Sequence, residues 1–157
     1  MTVSCDVSRP WEPGELRVLV VDDEPDVRLG LRLLAESIQA EVQDADSGEA
    51  ALESCRTWAP HLVLSDIAMH GMSGVELLSA LGREHPETRV VLITGFGSIE
   101  LAVEAMRRGA VHFITKPFDN DEVLRTIVRY GQEAVIREKA AIPPKMQTKN
   151  RTLTRTT

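Results

Sequence analysis

No apolar run in this chain of 157 residues approaches the roughly 20 residues that a membrane span needs. The opening stretch MTVSCDVSRPWEPGE lacks the hydrophobic segment of a secretory signal, so the expectation is a cytoplasmic protein with no membrane partner. Cysteine is scarce. Cys5 and Cys55 show neither CxxC spacing nor metal-binding neighbours, which argues against a disulfide framework or a zinc module and leaves two ordinary thiols. His61, His70, His85 and His112 are likewise without HxxxH or similar ligand spacing and read as surface or strand-edge residues. No internal repeat or low-complexity block occurs. Acidic residues are absent after Glu138, where Lys139, Lys145, Lys149, Arg151 and Arg155 follow. The net charge of −6 nonetheless argues against direct nucleic-acid binding by the chain as a whole, and the basic end reads as a solvated tail.

What is present is a 43% hydrophobic content, enough for one domain with a core but, at this length, not for two full-sized ones. Residues 1–15, with Pro10, Pro13 and Gly14 and little periodicity, read as a mobile N-terminal tail. Residues 139–157 read as a disordered basic C-terminal tail or linker. Between them, apolar runs alternate with amphipathic stretches, the pattern of five βα units around a parallel sheet. Strands are expected near 16–21, 41–45, 61–65, 89–93 and 111–115. The first helix opens at Pro25 and turns Val27, Leu31, Leu34 and Ile38 inward. Ser47 caps a second, carrying Ala50, Ala51 and Cys55, which stops at Trp58-Ala59-Pro60 because the residue before proline resists helical geometry. Ser73 and Glu76 have capping-box spacing for a third helix, which ends before Pro86. The fourth turns Ile99, Ala102, Val103 and Met106 inward and ends at a left-handed Gly109. Asp119 with Glu122 caps the last, from about 120 into the 130s.

Four of these strands end on residues that phosphoryl chemistry needs: Asp22 and Asp23 after LRVLVV, Asp66 after HLVLS, Thr94 after VVLI, and Lys116 after VHFIT. Buried parallel strands place their carboxyl ends along one sheet edge, and ligands of open α/β folds bind in the crevice outside it. Three carboxylates gathered there repel one another unless a cation joins them. Mg2+ suits such a crevice, since it takes oxygen ligands and is usually held by one or two carboxylates together with a substrate phosphate.

With these residues in this order, the chain resembles the receiver domains of two-component response regulators, most of all those of NtrC-type, sigma-54-dependent transcriptional activators. The resemblance covers about residues 16–135, and the domain is expected over 16–138. It implies an α/β fold with a five-stranded parallel sheet, doubly wound, of the flavodoxin/CheY-like (βα)5 kind. It implies Asp66 as phospho-acceptor in a Mg2+-dependent reaction, with Mn2+ as an alternative ion. The direct metal ligands would be Asp23, Asp66 and the backbone carbonyl of Ala68, with Asp22 acting mainly through water. Lys116 would neutralise the phosphoryl oxygens and Thr94 would supply a hydroxyl hydrogen bond. Thr94 and Phe113 would form the switch to a face made of the fourth helix, fifth strand and fifth helix. A cis peptide is implied at Lys116-Pro117.

The implied partners are a sensor histidine kinase and a downstream effector domain or protein. A homodimer is expected through the last helix or an adjacent face, where Val123, Ile127, Ala134 and Val135 lie near one stripe. Catalysis would be limited to slow autophosphatase activity, because Ala68 and Phe96 offer no side-chain hydrogen bond to an attacking water. Two departures from the family pattern stand in the loop after the acceptor, where His70 replaces a usual proline and Ser73 a frequent aspartate. No Walker A glycine loop appears, so the chain reads as a stand-alone receiver or as the receiver part of something longer. Two rival readings differ in class. A haloacid-dehalogenase-type phosphatase needs a DxD motif after its first strand, which Asp22-Asp23-Glu24 does not supply. A receiver-like adaptor that is never phosphorylated would not need the acidic, Thr and Lys positions intact.

Overall fold

The computed structural model describes residues 11–95 and 99–141. Its strands are β1 (Arg17–Val21), β2 (Glu41–Ala45), β3 (Leu62–Asp66), β4 (Arg89–Thr94) and β5 (His112–Thr115). They alternate with helices α1 (Pro25–Ser37), α2 (Gly48–Trp58), α3 (Gly74–Glu84), α4 (Ile99–Arg107) and α5 (Asn120–Ala140). All strand pairs are parallel, in the order β2-β1-β3-β4-β5. The two-residue period of a strand sends Val18 and Val20 to one face and Leu19 and Val21 to the other. Val18 and Val20 pack with Leu31 and Ala35 of α1 and Val123 and Ile127 of α5. Leu19 and Val21 join Leu52 of α2, Leu77 and Leu81 of α3 and Ala105 of α4. Each face of the sheet is therefore covered, as a doubly wound α/β fold requires.

Local signals set the helix ends. Ser47 accepts a hydrogen bond from the Ala50 amide, and Ala59 closes α2 in the left-handed region at φ 54°. Ser73 and Glu76 form the reciprocal capping box. Asp119 caps α5 through the Asp121 amide, with the Glu122 half of the expected pairing replaced by a backbone bond from Glu122 N–H to the Asp119 carbonyl. Gly109, just past α4, has φ 106°.

The face of α4 differs from expectation. Ile99, Val103 and Met106 are 81%, 44% and 48% exposed, and Ala102 is half-buried. The side that meets the sheet carries Ala105 and Leu101 instead. The stripe of α5 is corrected in the opposite sense. Val123, Ile127, Ala134 and Val135 are all buried inside this domain, so they are not free to pair with a second copy. Gly131 is buried on the same side, where a Cβ would stand 2.8 Å from Leu16 Cδ2; the glycine lets the helix sit directly on the end of the sheet.

Three further corrections lie at the end of the sheet opposite Asp66. Trp11, placed by expectation in a mobile tail, is 3% exposed, belongs to the α1/α5 core and donates its indole N–H to the Ile38 carbonyl at 3.1 Å. Lys139, expected in the C-terminal tail, lies within α5 and pairs with Glu15 at 2.7 Å. His61 is 6% exposed rather than superficial. Its Nδ1 accepts the Arg17 amide at 3.0 Å, which leaves the ring proton on Nε2, 2.6 Å from Glu138 Oε1. Arg17 adds a fork onto the Ala59 carbonyl and a contact to Glu138 Oε2 at 3.2 Å. The cluster ties the end of α5 to β1 and to the start of β3.

Removing this ring should be felt as lost stability. His61→Ala is expected to cost about 1–3 kcal/mol, from the unpaired Arg17 amide and the void. The midpoint of urea unfolding measures it. Burial pushes the Glu138 carboxyl up, but the hydrogen bonds from His61 and Arg17 outweigh that and hold it below the usual glutamate range. A depressed carboxyl stabilises above its unfolded pKa, and the contribution disappears as pH falls through the folded value. Glu138→Gln should therefore differ from the natural protein at neutral pH and converge with it in acid.

Candidate functional site

The apolar runs terminate together, and the polar residues that follow them meet at one end of the sheet. Asp22 comes directly after β1, with Asp23 next to it, while Asp66 is the last residue of β3 and Thr94 the last of β4. Lys116 follows β5 immediately. Asp22 and Thr94 are fully buried and Asp66 is 5% exposed, whereas Asp23 is only half-buried. One carboxylate oxygen from each of Asp22, Asp23 and Asp66 lies within 4.8 Å of the other two. This donor set is three hard oxygens in a crevice partly open to water, which fits Mg2+ or Mn2+ and not a thiolate-seeking ion.

Lys116 reaches into the same crevice. Its Nζ stands 3.4 Å from Asp22 Oδ2, 3.6 Å from Asp66 Oδ1 and 3.6 Å from Glu24 Oε1. Burial pushes the ammonium toward lower pKa, but Asp22, Asp66 and Glu24 outweigh it and hold the group above the usual lysine value. Its backbone amide bonds the Thr94 carbonyl at 2.7 Å, joining the ends of β4 and β5. The Lys116-Pro117 peptide bond is cis. The Asp66 carboxyl is pushed up, first by burial and then by the charge of Asp22, with Lys116 opposing. Asp66 is thus a carboxylate held in an unfavourable place, which an added cation would relieve.

Several neighbours hold this arrangement and escaped the sequence reading. Glu24 N–H donates to Asp22 Oδ1 at 2.9 Å, and the Arg28 guanidinium donates to the Asp22 carbonyl at 2.7 Å. Arg28 sits one turn into α1, so its spacing from Asp22 was a usable signal. Gly74, at the start of α3, donates its amide to the Ile67 carbonyl at 2.9 Å and packs directly behind Asp66. His70, expected at the surface, is fully exposed but is not idle: its amide and its Nδ1 both lie against Asp23 Oδ2, at 3.2 and 3.0 Å. Burial pushes the Asp23 carboxyl up, while these two bonds outweigh that and draw it below the usual aspartate range.

The remaining expected residues are placed as follows. Ala68 is exposed in the loop after β3. Phe113, on β5, is partly buried against the core shared by α2, α3 and α4. Phe96 falls outside the described residues.

Comparison with known proteins gives a consistent result. The sequence profile described as "Response regulator receiver domain" matches residues 18–128. The chain is 38% identical over 123 residues to the C4-dicarboxylate transport transcriptional regulatory protein DctD of Pseudomonas aeruginosa, covering 76% of this chain and 26% of that protein. It is 40% identical over 109 residues to the nitrogen assimilation regulatory protein NtrX of Azorhizobium caulinodans, covering 68% and 24%. The chain thus spans about a quarter of the length of these curated relatives. Among solved structures, the receiver domain of NtrX from Brucella abortus superposes with a TM-score of 0.70 at 39% identity, covering 73% of this chain and 98% of that one. The beryllofluoride-activated NtrC4 receiver domain dimer superposes with a TM-score of 0.72 at 30% identity, covering 75% and 98%.

Proposed function

Since the chain belongs to the response regulator receiver domain family, we propose that it takes a phosphoryl group from a partner histidine kinase onto Asp66 and passes the change to a protein-interaction face. The observation that carries this reading is the convergence of Asp22, Asp23, Asp66 and Lys116 from the ends of three different strands. A carboxylate oxygen of Asp66 attacks the phosphorus and the bond to the donor nitrogen or acyl oxygen breaks, giving an aspartyl phosphate. Lys116, already within 3.6 Å of Asp66, neutralises the incoming oxygens. Asp22, Asp23, Asp66 and the Ala68 carbonyl would hold Mg2+, which supplies charge neutralisation and orients the phosphoryl oxygens when bound. The Thr94 hydroxyl then turns to the phosphate.

That movement is the proposed signal. Thr94 and Phe113 lie on adjacent strands, Thr94 opposite Thr115 in the register and Phe113 opposite Leu92. Phe113 is only partly buried, which leaves it room to change its packing toward α4. The face so altered includes the exposed Val103 and Met106 of α4 and suits an effector domain or a second copy. Pairing in the NtrC4 receiver neighbour supports the second occupant. No described helix is long and apolar enough to cross a membrane, in keeping with a cytoplasmic location. Turnover is limited to slow loss of the phosphate, since Ala68 cannot orient an attacking water through its side chain.

Intact-mass measurement after incubation with acetyl phosphate tests the reading. An increase of one phosphoryl group is expected in Mg2+, strongly reduced in excess chelator, and persisting for hours in the purified protein. Equal labelling with and without a divalent ion would overturn the assignment of the acidic residues.

A further inference from the structure

Three carboxylates share the Lys116 ammonium, and one of them stands outside the acidic cluster. Asp22 and Asp66, at 3.4 and 3.6 Å from Nζ, belong to the group whose oxygens crowd together with Asp23, whereas Glu24, also at 3.6 Å, does not. Glu24 occupies the N-cap of α1, a place where a side-chain oxygen commonly accepts a free amide of the first turn, yet its side chain makes no capping bond. The carboxylate is 65% exposed and lies toward Lys116 instead. Its backbone amide braces Asp22 Oδ1 at 2.9 Å, a contact that does not depend on the side chain. Arg28, the other nearby cation, bonds the Asp22 carbonyl and stands 3.9 Å from Asp44, so its charge is engaged elsewhere.

We propose that Glu24 is a specificity-determining residue that weights the crevice against small, free phosphoryl anions. It adds a negative charge at the mouth and takes a share of the ammonium that must receive the phosphoryl oxygens. A divalent ion would offset Asp22, Asp23 and Asp66, but among the described residues Glu24 has Lys116 alone to offset it. Acetyl phosphate diffuses in as a dianion and meets this charge in full. A phosphoryl group carried on a protein histidine arrives with the docking contacts of its carrier, which counter the same repulsion. In the step itself an Asp66 oxygen bonds to phosphorus while the bond from phosphorus to the leaving group breaks, and acetate departs with the electron pair. Glu24 touches none of these atoms and acts through charge.

The inference rests on Asp66 being the acceptor, and the experiment keeps the two apart. Labelling rates are followed by intact mass in saturating Mg2+ for the natural protein, Glu24→Gln and Glu24→Asp. Two donors are compared: acetyl phosphate, and phosphoramidate, which releases ammonia and carries one negative charge fewer at neutral pH. Glu24→Gln should raise the second-order rate constant for acetyl phosphate about two- to fivefold at low ionic strength, the size expected of one exposed charge. The gain should be smaller with phosphoramidate, and should fade in about 1 M salt, where charges are screened beyond about 3 Å. Glu24→Asp keeps the charge and should restore the natural rate. A purely structural disturbance would instead move both donors and both salt conditions alike. An unchanged rate in Glu24→Gln, an equal gain in Glu24→Asp, or a gain independent of donor and salt would overturn the role of Glu24. Failure of both donors to label the natural protein at Asp66 would overturn the acceptor itself.

Discussion

Asp66→Asn is expected to abolish the mass increase from acetyl phosphate and, in the same protein, to raise the melting temperature measured without metal. The first effect follows from losing the carboxylate that the proposed reaction uses as its nucleophile, which stands 3.6 Å from Lys116 Nζ. The second follows from where that oxygen sits. Burial, followed by the charge of Asp22, pushes the Asp66 carboxyl above the ordinary aspartate range. A group whose folded pKa is raised favours folding below its unfolded pKa, and this contribution is lost as pH rises through the folded value. At neutral pH the ionised Asp66 therefore works against the fold, and an amide of the same shape does not. A gain of a few degrees is expected near pH 7, shrinking toward zero in acid as Asp66 takes up its proton. A phosphoryl adduct persisting in the variant would sink the assignment of the acceptor, and an equal gain at pH 3 and pH 7 would sink the electrostatic explanation.

Gly74→Ala should damage both stability and phosphorylation. A Cβ on Gly74 would press on the Asp66 carbonyl oxygen and stand 2.8 Å from Ile67 Cα, and both neighbours are backbone with nowhere to go. The start of α3 must then move off the end of β3. Overpacking of this kind costs about 1–3 kcal/mol, and more where backbone must shift. The same displacement moves Asp66, the proposed acceptor, and a misplacement near 1 Å can lower a rate about 100-fold. Gly82, eight residues along the same helix, has open space where its Cβ would be. Gly82→Ala should be neutral or stabilising by up to about 1 kcal/mol through helix propensity. Chemical unfolding and the rate of labelling by acetyl phosphate, measured for both variants, would decide. Equal behaviour of the two would remove the packing argument.

These two residues illustrate what the sequence could and could not disclose. Asp66 was legible because strands of a parallel sheet end in register: once the apolar runs around Val18, Leu62, Val90 and Phe113 are recognised, the polar residues after them must share an edge. The capping signals of Ser47 and Ser73 were legible because they act within four residues. Faces of helices were harder. The apolar sector of α4 is broad, leaving only one side to Glu100, Glu104 and Arg107, so Ile99, Val103 and Met106 satisfy helical spacing as well as Leu101 and Ala105 do, and only the sheet decides which part is covered. The stripe of α5 was read as a partner surface because its length hid the fact that α1 and β1 already occupy it. Trp11 sat among prolines and a glycine, and no local pattern shows an indole closing the core from 27 residues away from its partner Ile38. His70 lacked any ligand spacing, since its neighbour Asp23 arrives from another strand.

The separation of Arg17, His61 and Glu138 from the acidic crevice has a consequence for how such a chain can drift. Anchoring lies at one rim of the sheet and like charges crowd the other, so inherited changes at the two rims should surface as different defects. Replacements around His61 would lower the amount of protein a cell accumulates, with the surviving molecules signalling normally. Replacements around Asp66 would leave abundance intact or increase it while silencing the response. A saturation library scored separately for abundance and for output should split into two spatial groups along the strands, with Val20 and Leu64 between them sensitive in both.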